Sequence, residues 1–353
     1  MSAFSEDQPA AVRAGEEINL AALNDWLKKN EIPVDPIHSQ QQFPGGYSNL
    51  TYLLSSSKGE FILRRPPFGA AIKSAHDMGR EFKVLSLLRP HYKQVPRPVA
   101  YCEDSEIIGA SFYIMERLHG IILRPNSLGL QSMHPTQMKD ISEALVDNLA
   151  RLHQLDIHTT GLDQLGKPEG YIRRQVEGWT KRYQAAETDQ IPQMNELIAW
   201  LAINMPAEEA PSFLHNDYKY DNVVLNPHKL TEIVGVLDWE MSTVGDSRMD
   251  LGASLAYWVE ADEGNLARVF NISWLPGNLT RKEVVTRYEE QSGRTVRNIS
   301  FFYAFGLFKN AVIAQQIYAR WKQGHSKDAR FGSLIHVIRD LAVRGAKAVE
   351  SGM

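Results

Sequence analysis

The sequence predicts an α+β protein of two lobes, a small β-rich N-terminal lobe followed by a larger, mainly helical one. Three observations predict this. At 353 residues and 43% hydrophobic content the chain is too long for one typical core. From Ile37 to Leu118 the apolar residues come in short, strand-like runs. Past Gly120 they recur at helical spacing instead.

The elements follow in order. "INLAALNDWLKKN" sets Leu20, Leu23, Trp26 and Leu27 on one helical face, and "EIPVDP" ends that helix. "LTYLL" and "FILRR", parted by the turn-forming "SSSKGE", read as a hairpin. "GREFKVLSLLRP" aligns Phe82, Leu85 and Leu88 and stops at Pro90. "VPRPVAYCED" and "SFYIMERL" supply further strands. In the helical part, "DISEALVDNLARLHQLD" carries Ile141, Leu145, Leu149 and Leu152 along one face. Two short strands interrupt it, "VVL" and "EIVGVL", joined by "NPHKL". The expected divisions are residues 1–36 as leader and first helix, 37–118 as the small lobe and 119–353 as the large one.

Composition narrows the function. A formal net charge of -4 argues against a protein built for blanket attraction to nucleic acid or anionic lipid. The single cysteine, Cys102, excludes an internal disulfide framework and a multi-cysteine metal cluster, so a reducing cytoplasm fits, with Cys102 a small buried residue. "MSAFSEDQPA" lacks the apolar core of a secretory signal and reads as a disordered leader. The apolar "FFYAFGLFKNAVIAQQIYARW" is interrupted by Lys309, Asn310, Gln315 and Gln316, which favours a buried helix over a membrane span.

Chemistry concentrates in "FLHNDYKYDNVVL". In an antiparallel hairpin the residue entering the first strand lies beside the residue leaving the second. Asn222 and Asp238 take those places, with Asp217 just upstream, and such a hard-oxygen set suits Mg²⁺ when phosphate oxygens complete the octahedron. The small lobe repeats the geometry: Gly45, Gly46, Ser48 and Asn49 lead into one strand and Arg64 leaves the next. Flexible backbone amides, a hydroxyl and a fixed cation are suited to gripping phosphates, and Glu81 on the following helix either pairs with Arg64 or faces solvent. Cation and metal set together are what phosphoryl transfer needs.

The spacing of His215, Asp217 and Asn222, followed by Asp238 in "LDWE", is similar to the catalytic and metal-binding segments of the protein-kinase superfold. "HND" and "DWE" depart from the protein-kinase "HRD" and "DFG" and point to the small-molecule branch. With "FPGGYSNLTYLL", "FILRRPPFGAAIKSAHDMGREFKVLSLL", "VPRPVAYCEDSEIIGASFYIMERLHG", "LARLHQLD" and "VLDWEMSTVGDSRMDLG", the chain resembles the aminoglycoside phosphotransferase family. Within it the resemblance is to the subgroup fused to, or encoded with, acyl-CoA dehydrogenases.

That resemblance implies an ATP-dependent kinase acting on a small-molecule hydroxyl, with a nucleotide-binding first lobe and a catalytic, acceptor-binding second. Asp217 would be the base or orienter, Asn222 and Asp238 the Mg²⁺ ligands, and Ser48 with the glycines the phosphate cover. The connector "MERL", with Glu116 and Leu118, would read the adenine through backbone groups. The subgroup points to a hydroxyacyl compound or its coenzyme A thioester as acceptor. The family usually has Gly where Asn216 stands, which an ordinary backbone there would tolerate, and often Lys where Arg64 stands, so a point charge becomes a rigid fork.

Plainer readings stand beside these. The Asp217, Asn222 and Asp238 set reads alternatively as a capping network, and His215 as a brace for the loop. His153 is most economically a core residue, and Asp246 and Asp250 cap or brace the next helix. Glu240 is either metal support or surface. Trp179, Tyr183, Trp258 and Trp321 are core or acceptor lining, and Arg173, Arg174, Lys181 and Arg182 are a solvated face or an anion site. A nucleotide-binding pseudokinase with a scaffold role and a metal-dependent hydrolase are the rival functions.

Overall fold

The computed structural model describes residues 6–44, 49–67, 77–268, 271–326 and 328–353. The chain starts with α1 (Leu20–Lys29), β1 (Ile37–Gln42), β2 (Leu50–Ser56), β3 (Gly59–Arg65), α2 (Met78–Leu88), β4 (Pro98–Cys102), the single turn α3 (Ser105–Ile108) and β5 (Phe112–Glu116). Helices α4 (Pro135–His153), α5 (Tyr171–Ala186) and α6 (Pro192–Ile203) follow, then β6 (Pro211–Leu214), β7 (Val223–Asn226), β8 (Lys229–Val236) and β9 (Thr243–Asp246). The remainder is helical: α7 (Ser247–Tyr257), α8 (Asn265–Arg268), α9 (Arg281–Ser292), α10 (Ile299–Lys322) and α11 (Leu334–Ser351). The α+β class is as expected.

Two compact units result. The first holds residues 1–122 and 224–240, the second residues 123–223 and 241–353. In the first unit, five antiparallel strands run in the order β1-β2-β3-β5-β4. Asn19 caps α1 by accepting from the Ala22 N–H, and Lys28 and Lys29 complement the helix dipole at its other end. The apolar face of α1 then buries Leu23 and Leu27 with Tyr52, Leu54, Leu63, Phe112 and Ile114, and Trp26 meets Phe112 edge-on at 5.1 Å.

Several details differ from the sequence expectation. The β2–β3 register pairs Ser56 with Gly59, so the turn is two residues rather than "SSSKGE", because Ser55, Ser56 and Glu60 join the ladder. Arg64 consequently lies inside β3, paired with Thr51 and Tyr113, and Arg65 ends the strand. Polar β1 was not foreseen. The described part of the leader is docked, since Ala10 and Gln42 exchange both backbone hydrogen bonds, at 2.8 and 2.9 Å. Cys102 is a buried free thiol.

The second unit is built around α10. Every residue from Phe301 to Lys309 is buried, so this part of the helix is enclosed by neighbours rather than amphipathic. No helix among the described residues is long and apolar enough to cross a membrane. Helix α7 crosses α10 at two glycines: a Cβ on Gly252 would fall 2.3 Å from the Phe302 carbonyl oxygen, and one on Gly306 would fall 2.4 Å from that of Gly252. The backbones touch because neither residue has a side chain. Sheet pair β6–β9, missed because its four-residue strands carry too short a pattern, matches Phe213 with Val244 and Leu214 with Thr243.

Gly252→Val should therefore lower the melting temperature by about 4 °C or more through overpacking. Gly264→Ala, at a position with no atom near the added methyl, should leave it unchanged in the same calorimetric measurement.

Candidate active site

Strand β6 ends at Leu214 and hands the chain to the loop that carries His215, Asn216 and Asp217. A carboxylate one turn into α7 fixes that loop. Asp250 Oδ2 accepts from the His215 N–H at 2.6 Å and lies 3.0 Å from His153 Nε2, while Oδ1 accepts from the Asn216 N–H at 2.8 Å. His153 Nδ1 is in turn 2.7 Å from the Tyr288 hydroxyl. Burial pushes the Asp250 carboxyl up, but hydrogen bonding and charge from His153, with His215, outweigh it and hold the group below the ordinary aspartate value. Asp250 is thus a loop anchor rather than a helix cap; the cap of α7 is Asp246, accepting from the Arg248 N–H at 3.0 Å. His215 and His153 are both fully buried parts of this brace.

Asn216 has a left-handed backbone, with φ of 65°. The backbone here is not ordinary, the condition set for tolerating asparagine; instead glycine suits the position by its φ, and asparagine is accepted as the side-chain-bearing residue most at ease there. Its side chain is held at both ends, Oδ1 accepting from the Tyr171 hydroxyl at 3.2 Å and Nδ2 donating to the Met241 carbonyl at 3.0 Å. The Asn216 carbonyl accepts from Lys309 Nζ, and the Asp217 N–H donates to His215 Nδ1 at 3.2 Å.

Asp217 Oδ2 accepts from Lys219 Nζ at 2.7 Å and from Asn222 Nδ2 at 2.9 Å. Asn222 Nδ2 also donates to the Asp217 carbonyl at 2.8 Å, so the amide nitrogen serves the loop. Burial raises the Asp217 carboxyl, yet the charges of Lys219 and Lys309, the Lys219 hydrogen bond and His215 together hold it below its ordinary value. Lys219 Nζ also sits 4.5 Å from the centre of the Tyr257 ring. Arg182, exposed, stacks over buried Trp179 at 4.4 Å, and Lys309 Nζ lies 5.8 Å from the same ring. Tyr183 and Trp258 are buried in this unit as well, whereas Trp321 is partly exposed.

In the first unit Arg64 is the centre. Nη1 is 3.0 Å from Glu81, and Nη2 is 3.5 Å from Asp238 Oδ1 and 3.9 Å from Glu240. Glu81 Oε2 accepts from the Tyr113 hydroxyl at 2.8 Å, and Asn49 Nδ2 reaches both Glu81 at 3.2 Å and Glu240 at 3.1 Å. Burial raises the Glu81 carboxyl, with Arg64 and Tyr113 opposing it. Burial would discharge Arg64, but the neighbouring acidic groups overcome this and keep it firmly cationic. Asp238 has a left-handed backbone, with φ of 68°, and its Oδ1 is buried with no hydrogen bond among the described residues. Gly45, Gly46 and Ser48 lie outside the described residues. The Glu116 N–H donates to the Arg97 carbonyl at 2.9 Å and the Glu116 carboxylate accepts from the Arg97 N–H at 2.8 Å, while Leu118 packs against Gly235.

Sequence reasoning passed over Lys219 and Lys309. Lys219 stood inside the quoted loop motif, and Lys309 was noticed only as an interruption of an apolar helix. That interruption was the available signal, since a lone ammonium in an enclosed helix must find partners. Burial depresses Lys309 to about 8; Asp217 and Asp250 pull it up, and Lys219 and Arg182 push it further down. The unfolded chain binds this proton more tightly, so the penalty is fully present below about pH 8 and is relieved as pH rises towards the ordinary lysine value. Urea denaturation of wild type and Lys309→Met should reveal it: the stability difference moves in favour of wild type by about 3 kcal/mol between about pH 7.5 and 10.5.

With this geometry in hand, comparison with known proteins identifies relatives. The family model described as "Phosphotransferase enzyme family" (APH) matches residues 39–284. The chain is 36% identical over 308 residues to acyl-CoA dehydrogenase family member 11 of Rattus norvegicus, covering 86% of this chain and 39% of that protein. It is 37% identical over 308 residues to acyl-CoA dehydrogenase family member 10 of Mus musculus, covering 85% and 28%. The chain thus spans about two fifths or less of the length of these curated relatives. A solved structure from Ralstonia eutropha JMP134, described as a candidate aminoglycoside phosphotransferase, is 30% identical with a TM-score of 0.81, covering 95% of this chain and 99% of that one. A spectinomycin phosphotransferase solved with ADP and spectinomycin shares the fold at 15% identity and a TM-score of 0.57, covering 94% and 99%. The chain therefore belongs to the phosphotransferase enzyme family, and its α+β fold is that of the kinase-like small-molecule phosphotransferases.

Proposed function

We propose that the chain is an ATP-dependent, Mg²⁺-requiring kinase that moves the γ-phosphate of ATP to a hydroxyl of a small molecule. The observation that carries this reading is Asp217: a carboxylate kept ionised by two lysines, on a loop whose backbone is clamped by Asp250. Such a group can hydrogen-bond an acceptor hydroxyl and receive its proton. In the proposed reaction the acceptor oxygen forms a bond to the γ-phosphorus, the bond to the bridging β–γ oxygen breaks, ADP leaves, and the hydroxyl proton passes to Asp217. Lys219, on the same carboxylate oxygen, keeps that group oriented while the new bond forms.

Asn222 and Asp238 fit the metal role by their chemistry. The Asn222 amide nitrogen is committed to Asp217, which leaves its oxygen as the donor atom for a cation. Asp238 Oδ1 is a buried oxygen that accepts no hydrogen bond among the described residues. Both are hard donors of the kind Mg²⁺ takes together with phosphate oxygens. When bound, the ion would neutralise charge on the phosphates. Arg64, fixed by Glu81, is proposed to hold phosphate, with Asn49 setting the position of Glu81. Gly45, Gly46 and Ser48 are proposed to cover the phosphates, and the segment of Glu116 and Leu118 to take the adenine.

For the acceptor we propose an anionic compound, a hydroxyacyl chain or its coenzyme A thioester. Lys219 and Lys309 lie beside Asp217, and Lys309 and exposed Arg182 beside Trp179, so these three cations outnumber the carboxylates of Asp217 and Asp250, an excess that favours an anionic acceptor over a polycationic aminoglycoside. The names of the acyl-CoA dehydrogenase relatives lean the same way.

Asp217→Asn should cut kcat roughly a thousandfold with ATP affinity retained, as read by steady-state kinetics and calorimetry. Asp238→Ala should abolish turnover with the fold retained, at a modestly lower melting temperature because alanine is disfavoured at a φ of 68°; normal transfer by that variant refutes the metal role. The acceptor is tested by mass-resolved screening of hydroxy acids, their thioesters and aminoglycosides with ATP and Mg²⁺. Tight ATP binding without transfer to any of them would replace the kinase by a nucleotide-binding scaffold.

A further inference from the structure

Lys309 is the unusual residue of α10. It lies at the end of nine consecutive buried positions, Phe301 to Lys309, and is the one charged residue among them. A leucine or methionine would pack there without the cost of burying an ammonium group. The partners it finds are all in the second unit: the Asn216 carbonyl by a hydrogen bond, the charges of Asp217 and Asp250, and the face of Trp179.

Asn216 C=O and Asp217 N–H belong to one peptide unit. Lys309 Nζ holds its oxygen and His215 Nδ1 its nitrogen, the latter at 3.2 Å. A peptide plane gripped at both ends fixes the ψ of Asn216 and the φ of Asp217, and so the direction in which the Asp217 side chain leaves the backbone. Asn216 is left-handed with φ of 65°, a conformation the residue keeps only while its surroundings hold it. Three of those holds are uncharged or reach only the side chain or N–H end: Tyr171, Met241 and the Asp250 anchor. Among the described residues it is Lys309 that takes the carbonyl, the end that faces the next residue.

We propose that Lys309 is a positioning residue for phosphoryl transfer, setting the plane of the 216–217 peptide and thereby the aim of the Asp217 carboxylate. The proposal rests on the kinase reading for its consequence and on the loop geometry for its substance. Losing the ammonium lets the plane rotate, and a carboxylate displaced by about 1 Å costs on the order of a hundredfold in rate. The nucleotide is held by other residues, so its binding is untouched.

The test compares wild type, Lys309→Met and Lys309→Arg by crystallography and by ADP formation from ATP and Mg²⁺, with water and with each hydroxy compound of the acceptor screen. Expected are a kcat lower by about a hundredfold in Lys309→Met with an unchanged KM for ATP, a rotated 216–217 peptide, and recovery of most activity in Lys309→Arg, whose guanidinium can donate to the same carbonyl. A Lys309→Met crystal structure with Asn216 and Asp217 unmoved overturns the proposal, as does wild-type kcat in that variant. If Lys309→Met does not fold, the arginine variant decides: loss of kcat despite a preserved hydrogen bond to Asn216 overturns it. Absence of turnover by wild type on every acceptor sinks the kinase reading instead, and the crystal structures then judge the positioning claim alone.

Discussion

The buried carboxylate of Asp250 is the interaction on which the second unit's chemistry depends. It accepts two successive backbone N–H groups, from His215 and Asn216, and a side-chain contact from His153. Two adjacent amides aimed at one carboxylate impose a sharp bend, and that bend is what turns the chain from β6 into the loop. A charge so buried is stable only because these donors replace its water, so anchor and loop require each other. Around it, β6–β9 brings the loop to the start of α7, and His153 ties the same carboxylate to α4 and, through Tyr288, to α9.

The first unit follows the same principle with the signs exchanged. There a cation, Arg64, is the buried charge, and Glu81, Asp238 and Glu240 surround it. Arginine's planar fork can meet several carboxylates at once, which a lysine ammonium does less well. The pair with Glu81 is nearly sealed from solvent, with side chains 13% and 3% exposed, and Tyr113 adds a hydroxyl to it. Arg64 is therefore held in direction by these side chains.

What could be read from the sequence was what spacing alone determines. The interval between Asp217 and Asn222 fixed that both belong to one loop, and they hydrogen-bond to each other. The compact, β-rich runs "LTYLL" and "FILRR", parted by turn-forming residues, gave the β2–β3 pair, although residues taken for turn joined the strands. Other features leave no periodic trace. A four-residue strand such as β6 is shorter than any pattern window, and the left-handed backbone of Asn216 depends on contacts from Tyr171, Met241, Asp250 and Lys309, all at least 25 residues away in sequence. Lys309 was hidden for a different reason. A helix read for its apolar face treats a charge as noise, whereas in a helix buried on all sides the charge is the informative residue.

The bare contact between Gly252 and Gly306 has a reach beyond packing. Gly252 is two residues from Asp250 and Gly306 three from Lys309, so the same crossing that lets α7 and α10 meet backbone to backbone also fixes the gap between those two charged residues. The helices behave as the jaws of a caliper closed on residues 215 to 217. Variation within this lineage should accordingly be freer on the outer helices than at this crossing, where a single methyl group would widen the jaws and loosen the grip on the loop without touching it.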